Sequence, residues 1–148
     1  MGLRITSKKI FVFTFLILFL FAFNNINAFE ITKNPAEGNF ELTSWKAGKG
    51  YSVITSQGMV EGYGKVYLTH KFKANSPEAL TGDFVGAARA ITKDGNMAFA
   101  SLQGVWKREG TELTIHTLDS LVDGTANYAK GKFDLYNGTL TFDVFAIE

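Results

Sequence analysis

Hydrophobic and polar positions alternate along this chain in short runs that turn signals separate. From about residue 38 onward, runs rich in Val, Ile, Thr and aromatic residues are broken every 10–15 residues by turn signals, and no long stretch has helical periodicity. Strands are predicted near residues 39–46, 51–57, 60–73, 79–92, 96–107, 112–119, 126–136 and 139–147. Eight antiparallel strands in about 120 residues can close on themselves, which removes exposed sheet edges. The predicted fold class is therefore all-β, an eight-stranded antiparallel up-and-down β-barrel.

The first 28 residues follow a different pattern. Nine residues with three bases and no acid precede a 14-residue apolar run, 10–23, and a polar spacer then leads to Ala28. This order predicts a secretory signal peptide over residues 1–28, cleaved after Ala28, and one domain over 29–148. The run is shorter than the roughly 20 residues of a membrane span, so we expect no stable membrane anchor after cleavage. The expected location is secreted or periplasmic.

Turn signals predict which residues face each other in the last hairpin. Asn137-Gly138 is a preferred two-residue type I′ turn. The predicted inward pairs are Leu135 with Leu140, Phe133 with Phe142, Gly131 with Val144, and Ala129 with Ala146. The predicted outward pairs are Tyr136 with Thr139, Asp134 with Thr141, and Lys132 with Asp143. One face is thus apolar and the other is polar.

Asp94-Gly95 predicts a second two-residue turn, but neither face of its hairpin is clearly polar. One face contains Val85, Ala87, Ile91, Ala98, Ala100, Leu102 and Trp106, with Asp83 and Arg89 among them. The other contains Phe84, Ala88, Ala90, Met97, Phe99 and Val105, with Ser101 and Gln103. A two-residue turn at Glu109-Gly110 places the Trp106 face inside, whereas a three-residue loop at 108–110 reverses the choice for strand 112–119. With Trp106 inside, an apolar face of Phe84, Met97, Phe99 and Val105 is left outside, which predicts a homo-oligomer.

Composition excludes several classes of function. Three of the 15 bases and none of the 14 acids lie in residues 1–28, which leaves 12 bases against 14 acids and no basic stripe for nucleic acid. The absence of cysteine excludes a disulfide scaffold and a thiolate nucleophile. Two histidines are too few for a multi-histidine zinc site, so no metal or cofactor is expected.

Polar residues on apolar strand faces are the candidates for chemistry. Alternation places His70 with Val66, Leu68 and Phe72, where it could act as a general base or bind a ligand; alternatively, a carbonyl or water satisfies the ring. On the register above, Asp83 and Arg89 point inward, and Arg89 could bind a carboxylate or enolate-type oxygen; alternatively, a register error of one residue places Arg89 in solvent. Inward aromatic residues, Trp106 and Phe72, complete the set of candidate ligand contacts. Trp45 is predicted to plug one end of the barrel.

Three segments together resemble a known group of proteins. They are residues 38–45 (GNFELTSW), 80–86 (LTGDFVG), and 94–95 with 102–104 (DG and LQG). Their order is similar to that of bacterial barrels related to allene oxide cyclase, over most of residues 38–145. The resemblance implies an eight-stranded barrel with a central cavity, allene-oxide-cyclase-like or calycin-like, that often self-associates. It implies no shared catalytic residue.

The function expected from these observations is the binding of a small apolar or amphipathic molecule in the barrel lumen, because barrels of this size can hold one small ligand. Two alternatives are left open. An isomerase or cyclase could fold a flexible lipophilic substrate in the cavity, with His70 or Arg89 handling a proton or an oxyanion. A structural or interaction barrel would instead be filled by its own side chains.

Overall fold

The computed structural model describes residues 30–147, which form a closed antiparallel barrel of eight strands. The strands are β1 (Ala36–Gly48), β2 (Tyr51–Val60), β3 (Gly64–Ala74), β4 (Thr81–Ile91), β5 (Met97–Glu109), β6 (Glu112–Leu121), β7 (Ala126–Asp134) and β8 (Thr139–Ala146). They pair in chain order, and β1 pairs with β8 to close the barrel. The prediction of an all-β, eight-stranded up-and-down barrel is confirmed. The predicted signal peptide lies outside the described residues.

Strict alternation gives each strand a core face and a solvent face. In β3 the buried side chains are Val66, Leu68, His70 and Phe72, and the exposed ones between them are Tyr67, Thr69 and Lys71. Successive side chains of a strand point to opposite faces, so burying one apolar set requires this pattern. The predicted placement of His70 on the apolar face of its strand is confirmed.

A bulge in β1 positions one end of the barrel. Residues 36–41 pair with β8, whereas beyond the bulge at Thr43 the strand pairs only with β2. The hydroxyl oxygens of Thr43 and Ser44 lie 2.7 and 2.8 Å from the hydroxyl oxygen of Thr55, which satisfies the polar groups at the irregularity. A bulge bends its strand. β1 therefore extends past the end of β8 and carries Trp45 to the rim.

The hairpin between β7 and β8 keeps its predicted faces but has a longer loop. Phe133 lies opposite Leu140, whereas the predicted partner is Phe142. Four residues, 135–138, make the connection, because the Asp134 carboxylate accepts hydrogen bonds from two backbone amides of the loop at 3.0 and 3.1 Å. The shift of two residues leaves every side chain on its predicted face.

The hairpin between β4 and β5 differs from its prediction by one residue in register. β4 ends at Ile91 and β5 begins at Met97, and a hydrogen bond of 3.0 Å from the amide of Thr92 to the carbonyl of Asn96 closes the connection. The predicted two-residue Asp94-Gly95 turn is therefore wrong. A shift of one residue exchanges the two faces of β4 relative to β5.

Two predictions about side-chain orientation change with that shift. Phe84 is buried against the core at 1% exposure, and so it does not belong to the outer apolar face. Asp83 and Arg89 are exposed on the outside of β4, and their predicted inward orientation is wrong. The Trp106 face of β5 is inside, because the two-residue turn Gly110-Thr111 pairs the last residue of β5 with the first of β6. The predicted turn at Glu109-Gly110 is therefore wrong by one residue, but the resulting register shift of two residues keeps the predicted faces.

Aromatic side chains fill the middle of the barrel. We call this layer the floor; it consists of His70, Phe72, Phe84, Phe133 and Phe142. All five are buried, with exposures between 0% and 7%. The floor separates two cups, one at each end of the barrel.

Candidate functional site

His70 lies at the centre of the floor. Its ring centroid is 5.4 Å from that of Phe84, 5.5 Å from that of Phe133, 5.7 Å from that of Phe72 and 6.1 Å from that of Phe142. Neither ring nitrogen has a hydrogen-bond partner among residues 30–147. Burial lowers the pKa of His70 to about 3, so the imidazole is neutral at physiological pH. Its contacts are those of a core residue.

The larger cup, of about 580 Å³, lies at the end of the barrel where β1, β3, β5 and β7 finish. We call it the aromatic cup; its lining includes Trp45, Tyr51, Phe72, Trp106, Leu135 and Tyr136. These residues come from four different connections and strand ends, and only closure of the barrel brings them together. Trp45 is 54% exposed and Tyr51 40% exposed, so their rings are accessible at the rim.

Hydrogen bonding fixes Trp106 in the wall of this cup. Its indole N–H donates to the carbonyl of Asp83 at 3.0 Å and to that of Lys73 at 3.2 Å. A Cβ at Gly82 would lie 1.9 Å from the Lys73 carbonyl oxygen and 2.6 Å from the Trp106 indole nitrogen. Glycine at position 82 is therefore needed for this close approach, and the indole presents a fixed surface to the cup.

Arg108 belongs to the lining of the aromatic cup, and Lys71 lies beside Tyr51 on the outer face of β3. The Arg108 guanidinium donates to the carbonyls of Ala79 at 3.0 Å, Gly110 at 3.0 Å and Glu78 at 3.2 Å, which ties the β3–β4 loop to the next turn. The ammonium of Lys71 lies 4.4 Å from the centre of the Tyr51 ring. The rim therefore combines aromatic surface with positive charge.

The smaller cup, of about 100 Å³, lies at the opposite end. We call it the alanine cup, because inward Ala88, Ala90, Ala98, Ala100 and Ala129 leave the space that larger side chains fill elsewhere. Polar groups enter it from β6 and β7 at Thr117, Asp119 and Asn127. Asp119 lies directly opposite Asn127. The Thr117 hydroxyl donates a hydrogen bond to Oδ1 of Asp119 at 2.7 Å.

Desolvation dominates the electrostatics of the alanine cup. Burial raises the pKa of Asp119 to about 6, against the lowering effect of its bond from Thr117. The Asp119 carboxyl thus changes charge close to neutral pH. Apart from Asp119, Thr117, Asn127 and Tyr63, the lining of this cup is apolar.

The structure separates the residues that the sequence proposed as one site. Phe72 and Trp106 line the aromatic cup, and His70 is sealed within the floor. Asp83 and Arg89 are outside the barrel, where the Arg89 guanidinium lies 5.6 Å from the centre of the Phe99 ring.

Sequence reasoning missed the contribution of Asp119. Its signal is present, because alternation from Leu113 and Ile115 places Thr117 and Asp119 on the same inward face of β6. Trp45 was predicted as a plug, whereas it stands at the rim beside the opening of the aromatic cup.

Comparisons with known proteins add no family to these observations. No family model, no curated protein and no solved structure matches the chain. Within residues 30–147, no helix is long and apolar enough to cross a membrane. The same residues contain no group of His, Cys, Asp and Glu that could hold a metal ion.

Proposed function

We propose that this protein binds a small apolar or amphipathic molecule in the aromatic cup. The observation that carries the proposal is a cavity of about 580 Å³ with aromatic walls. Ligand sites usually have volumes of about 300–1,000 Å³ and predominantly apolar or aromatic linings. Phe72 and Trp106, two of the ligand contacts expected from the sequence, belong to this lining.

The rim favours a ligand with an anionic end. An apolar body would contact Trp45, Trp106 and Phe72, while a carboxylate at the opening would lie near the charge of Arg108. Positive charge at an opening attracts anions and orients them. A medium-chain fatty acid such as lauric acid is therefore a suitable probe.

Tryptophan fluorescence is a specific reporter for this cup. The chain has two tryptophans, Trp45 and Trp106, and both belong to the lining. Titration of the 29–148 chain with lauric acid should change the emission and saturate. Tyr51→Ala should weaken binding by roughly threefold to tenfold, from the loss of one aromatic contact. Tyr67→Ala, which removes an exposed tyrosine from the outer face of β3, is the matched control and should leave the affinity unchanged.

Two results would contradict the proposal. One is emission that does not change up to the solubility limit of the fatty acid. The other is equal weakening by Tyr51→Ala and Tyr67→Ala, since general surface adsorption would not distinguish the cup from the outer face.

The isomerase or cyclase alternative stays a prediction, as does the resemblance to allene oxide cyclase. His70, the proton-handling candidate for that alternative, is enclosed by the floor and does not contact either cup. Formation of a rearranged product from an epoxide or polyene fatty acid would favour an enzyme, whereas return of unaltered ligand favours binding.

We also propose that the barrel functions outside the cytoplasm, after removal of residues 1–28. The basic start, the short apolar run and Ala28 support this proposal. N-terminal sequencing of the exported protein should begin at Phe29, and a sequence beginning at Met1 would contradict it.

Self-association through the outside of β4 and β5 is a further proposal. Met97 is 56%, Phe99 39% and Val105 58% exposed, which supports burial by a second copy of the chain. Asp83 and Arg89 lie on the same face of β4, three residues to either side of Gly86, and neither forms an ion pair within residues 30–147. A two-fold axis near Gly86 would place each Arg89 against the partner's Asp83.

A further inference from the structure

The alanine cup is a candidate site separate from the aromatic cup. The floor stands between them, and the two linings share no residue. Phe72 faces the aromatic cup, while Phe142 faces the alanine cup. A ligand in one cup would therefore make no contact with the residues of the other.

Polar groups in the alanine cup converge on one side of an apolar cavity. Asn127 is 8% exposed, and its side chain makes no hydrogen bond to another described residue. Thr117 donates to Oδ1 of Asp119, and no side chain in the described part of the chain donates to Oδ2. Neither the Asn127 side-chain atoms nor Asp119 Oδ2 are among the fully buried unpartnered atoms of the described residues, so they are open to the cup, where they can accept hydrogen bonds from a ligand.

The charge in this cup has one sign. Asp119 is the charged residue of the lining, and the lining contains no Lys, Arg or His. A carboxylate in an apolar wall is stabilised by a cation that brings its own apolar surface. A volume of about 100 Å³ is smaller than the roughly 150 Å³ of a cavity that holds benzene, so the ligand has only a few heavy atoms.

We propose that the alanine cup binds a small aliphatic amine, with its ammonium group on Asp119 and its hydrocarbon chain among the alanines. Oδ2 of Asp119 and the side-chain oxygen of Asn127 accept hydrogen bonds from the ammonium. Ala90, Ala98 and Ala100 leave room for a chain of about four carbons. The site is independent of the ligand proposed for the aromatic cup.

The test uses n-butylamine and 1-butanol, which have the same carbon chain but differ in charge. Both are titrated into ¹⁵N-labelled 29–148 protein at pH 7.5, and amide shifts are followed by NMR. Butylamine should shift amides of residues 117–121 and 127–129 and should bind at least about tenfold more tightly than butanol, as a charge-assisted hydrogen bond predicts.

Asp119→Asn removes the charge while keeping the shape of the side chain. This variant should lower the affinity for butylamine at least about tenfold and change the affinity for butanol by less than about twofold. In the wild-type protein, butylamine affinity should fall as the pH drops below about 6, because the Asp119 carboxylate takes up a proton there. Tyr63 is the other titratable side chain in the lining of this cup.

Ala100→Leu provides a second variant that fills the cup without touching the carboxyl. It should abolish binding of both probes while leaving the tryptophan response to lauric acid unchanged, which separates this site from the proposed function. Equal affinity for butylamine and butanol in the wild-type protein would overturn the proposal. So would amide shifts that map outside the alanine cup, or butylamine binding that survives Asp119→Asn.

Discussion

The enclosed histidine, His70, is predicted to make the barrel less stable in acid. The folded chain holds His70 neutral, with the pKa lowered by burial to about 3 from an ordinary value of 6.5. Between these two pH values the unfolded chain binds a proton at this site and the folded chain does not. Stability is therefore lost as the pH falls through this window, at about 1.4 kcal/mol per pH unit. At pH 4 the loss from His70 is about 3 kcal/mol.

Asp119 acts in the opposite direction. Its pKa is raised to about 6 from 3.8, so the folded chain binds the proton first and acidification through this range is stabilising. Partial exposure of the carboxyl allows solvent to screen it, which limits the gain to about 1 to 2 kcal/mol. Asp119 therefore offsets part of the loss of stability that His70 causes at pH 4.

His70→Leu isolates the histidine. Urea denaturation followed by circular dichroism gives the free energy of unfolding at pH 7.5 and pH 4.0 for the wild type and the variant. Between pH 7.5 and pH 4.0, the free energy of unfolding should fall by about 3 kcal/mol less in the variant than in the wild type. A packing cost that is the same at both pH values cancels in this difference, and so does the contribution of Asp119.

His116→Leu is the control for the other histidine, which is exposed on the outer face and hydrogen-bonded at 2.7 Å to the hydroxyl of Tyr128. This variant keeps His70 in the floor, so the loss of stability that His70 causes between pH 7.5 and pH 4.0 should persist. If His70→Leu reproduced the pH difference of the wild type to within about 1 kcal/mol, the placement of a neutral histidine in the floor would be refuted.

Two further predictions concern the last hairpin and the outer face. Phe142→Ala should lower the free energy of unfolding by about 3–5 kcal/mol, because the ring is buried in the floor. Asp143→Ala, on the outer face, should leave the free energy of unfolding nearly unchanged. Equal effects of the two substitutions in urea denaturation would mean that the two faces are exchanged. In sedimentation velocity at tens of micromolar the wild type should be dimeric or larger, Arg89→Asp should be monomeric, and adding Asp83→Arg should restore association. A monomeric wild type, or a double variant that stays monomeric, would contradict association through this face.

Alternation determines most of what could be predicted about the fold. A period of two over strands such as Gly64–Ala74 specifies which side chains enter the core and therefore the all-β class. Turn length was harder to predict, because side chains that cap loops compete with the preferred two-residue turns. Asp134 lengthens one loop by two residues and preserves the faces, whereas the connection after Ile91 changes the register by one residue and exchanges them.

The candidate sites depend on features that lie far apart in the sequence. Trp45, Tyr51, Trp106 and Tyr136 meet because the barrel closes and because the bulge in β1 carries Trp45 to the rim. The local sequence pattern of each strand does not predict that these four side chains lie together. Asp119 is different, since the alternation of β6 alone places it inside.

The most direct test of ligand binding in the aromatic cup is an NMR titration of the ¹⁵N-labelled barrel with lauric acid. The two tryptophans give two indole N–H signals, and that of Trp106 reports on the group that donates to the carbonyls of Lys73 and Asp83. Binding in the cup predicts that both indole signals and the amides of residues 108–111 and 135–136 shift together and saturate with one dissociation constant. Indole signals that do not move, or shifts concentrated on the outer faces of β4 and β5, would contradict it.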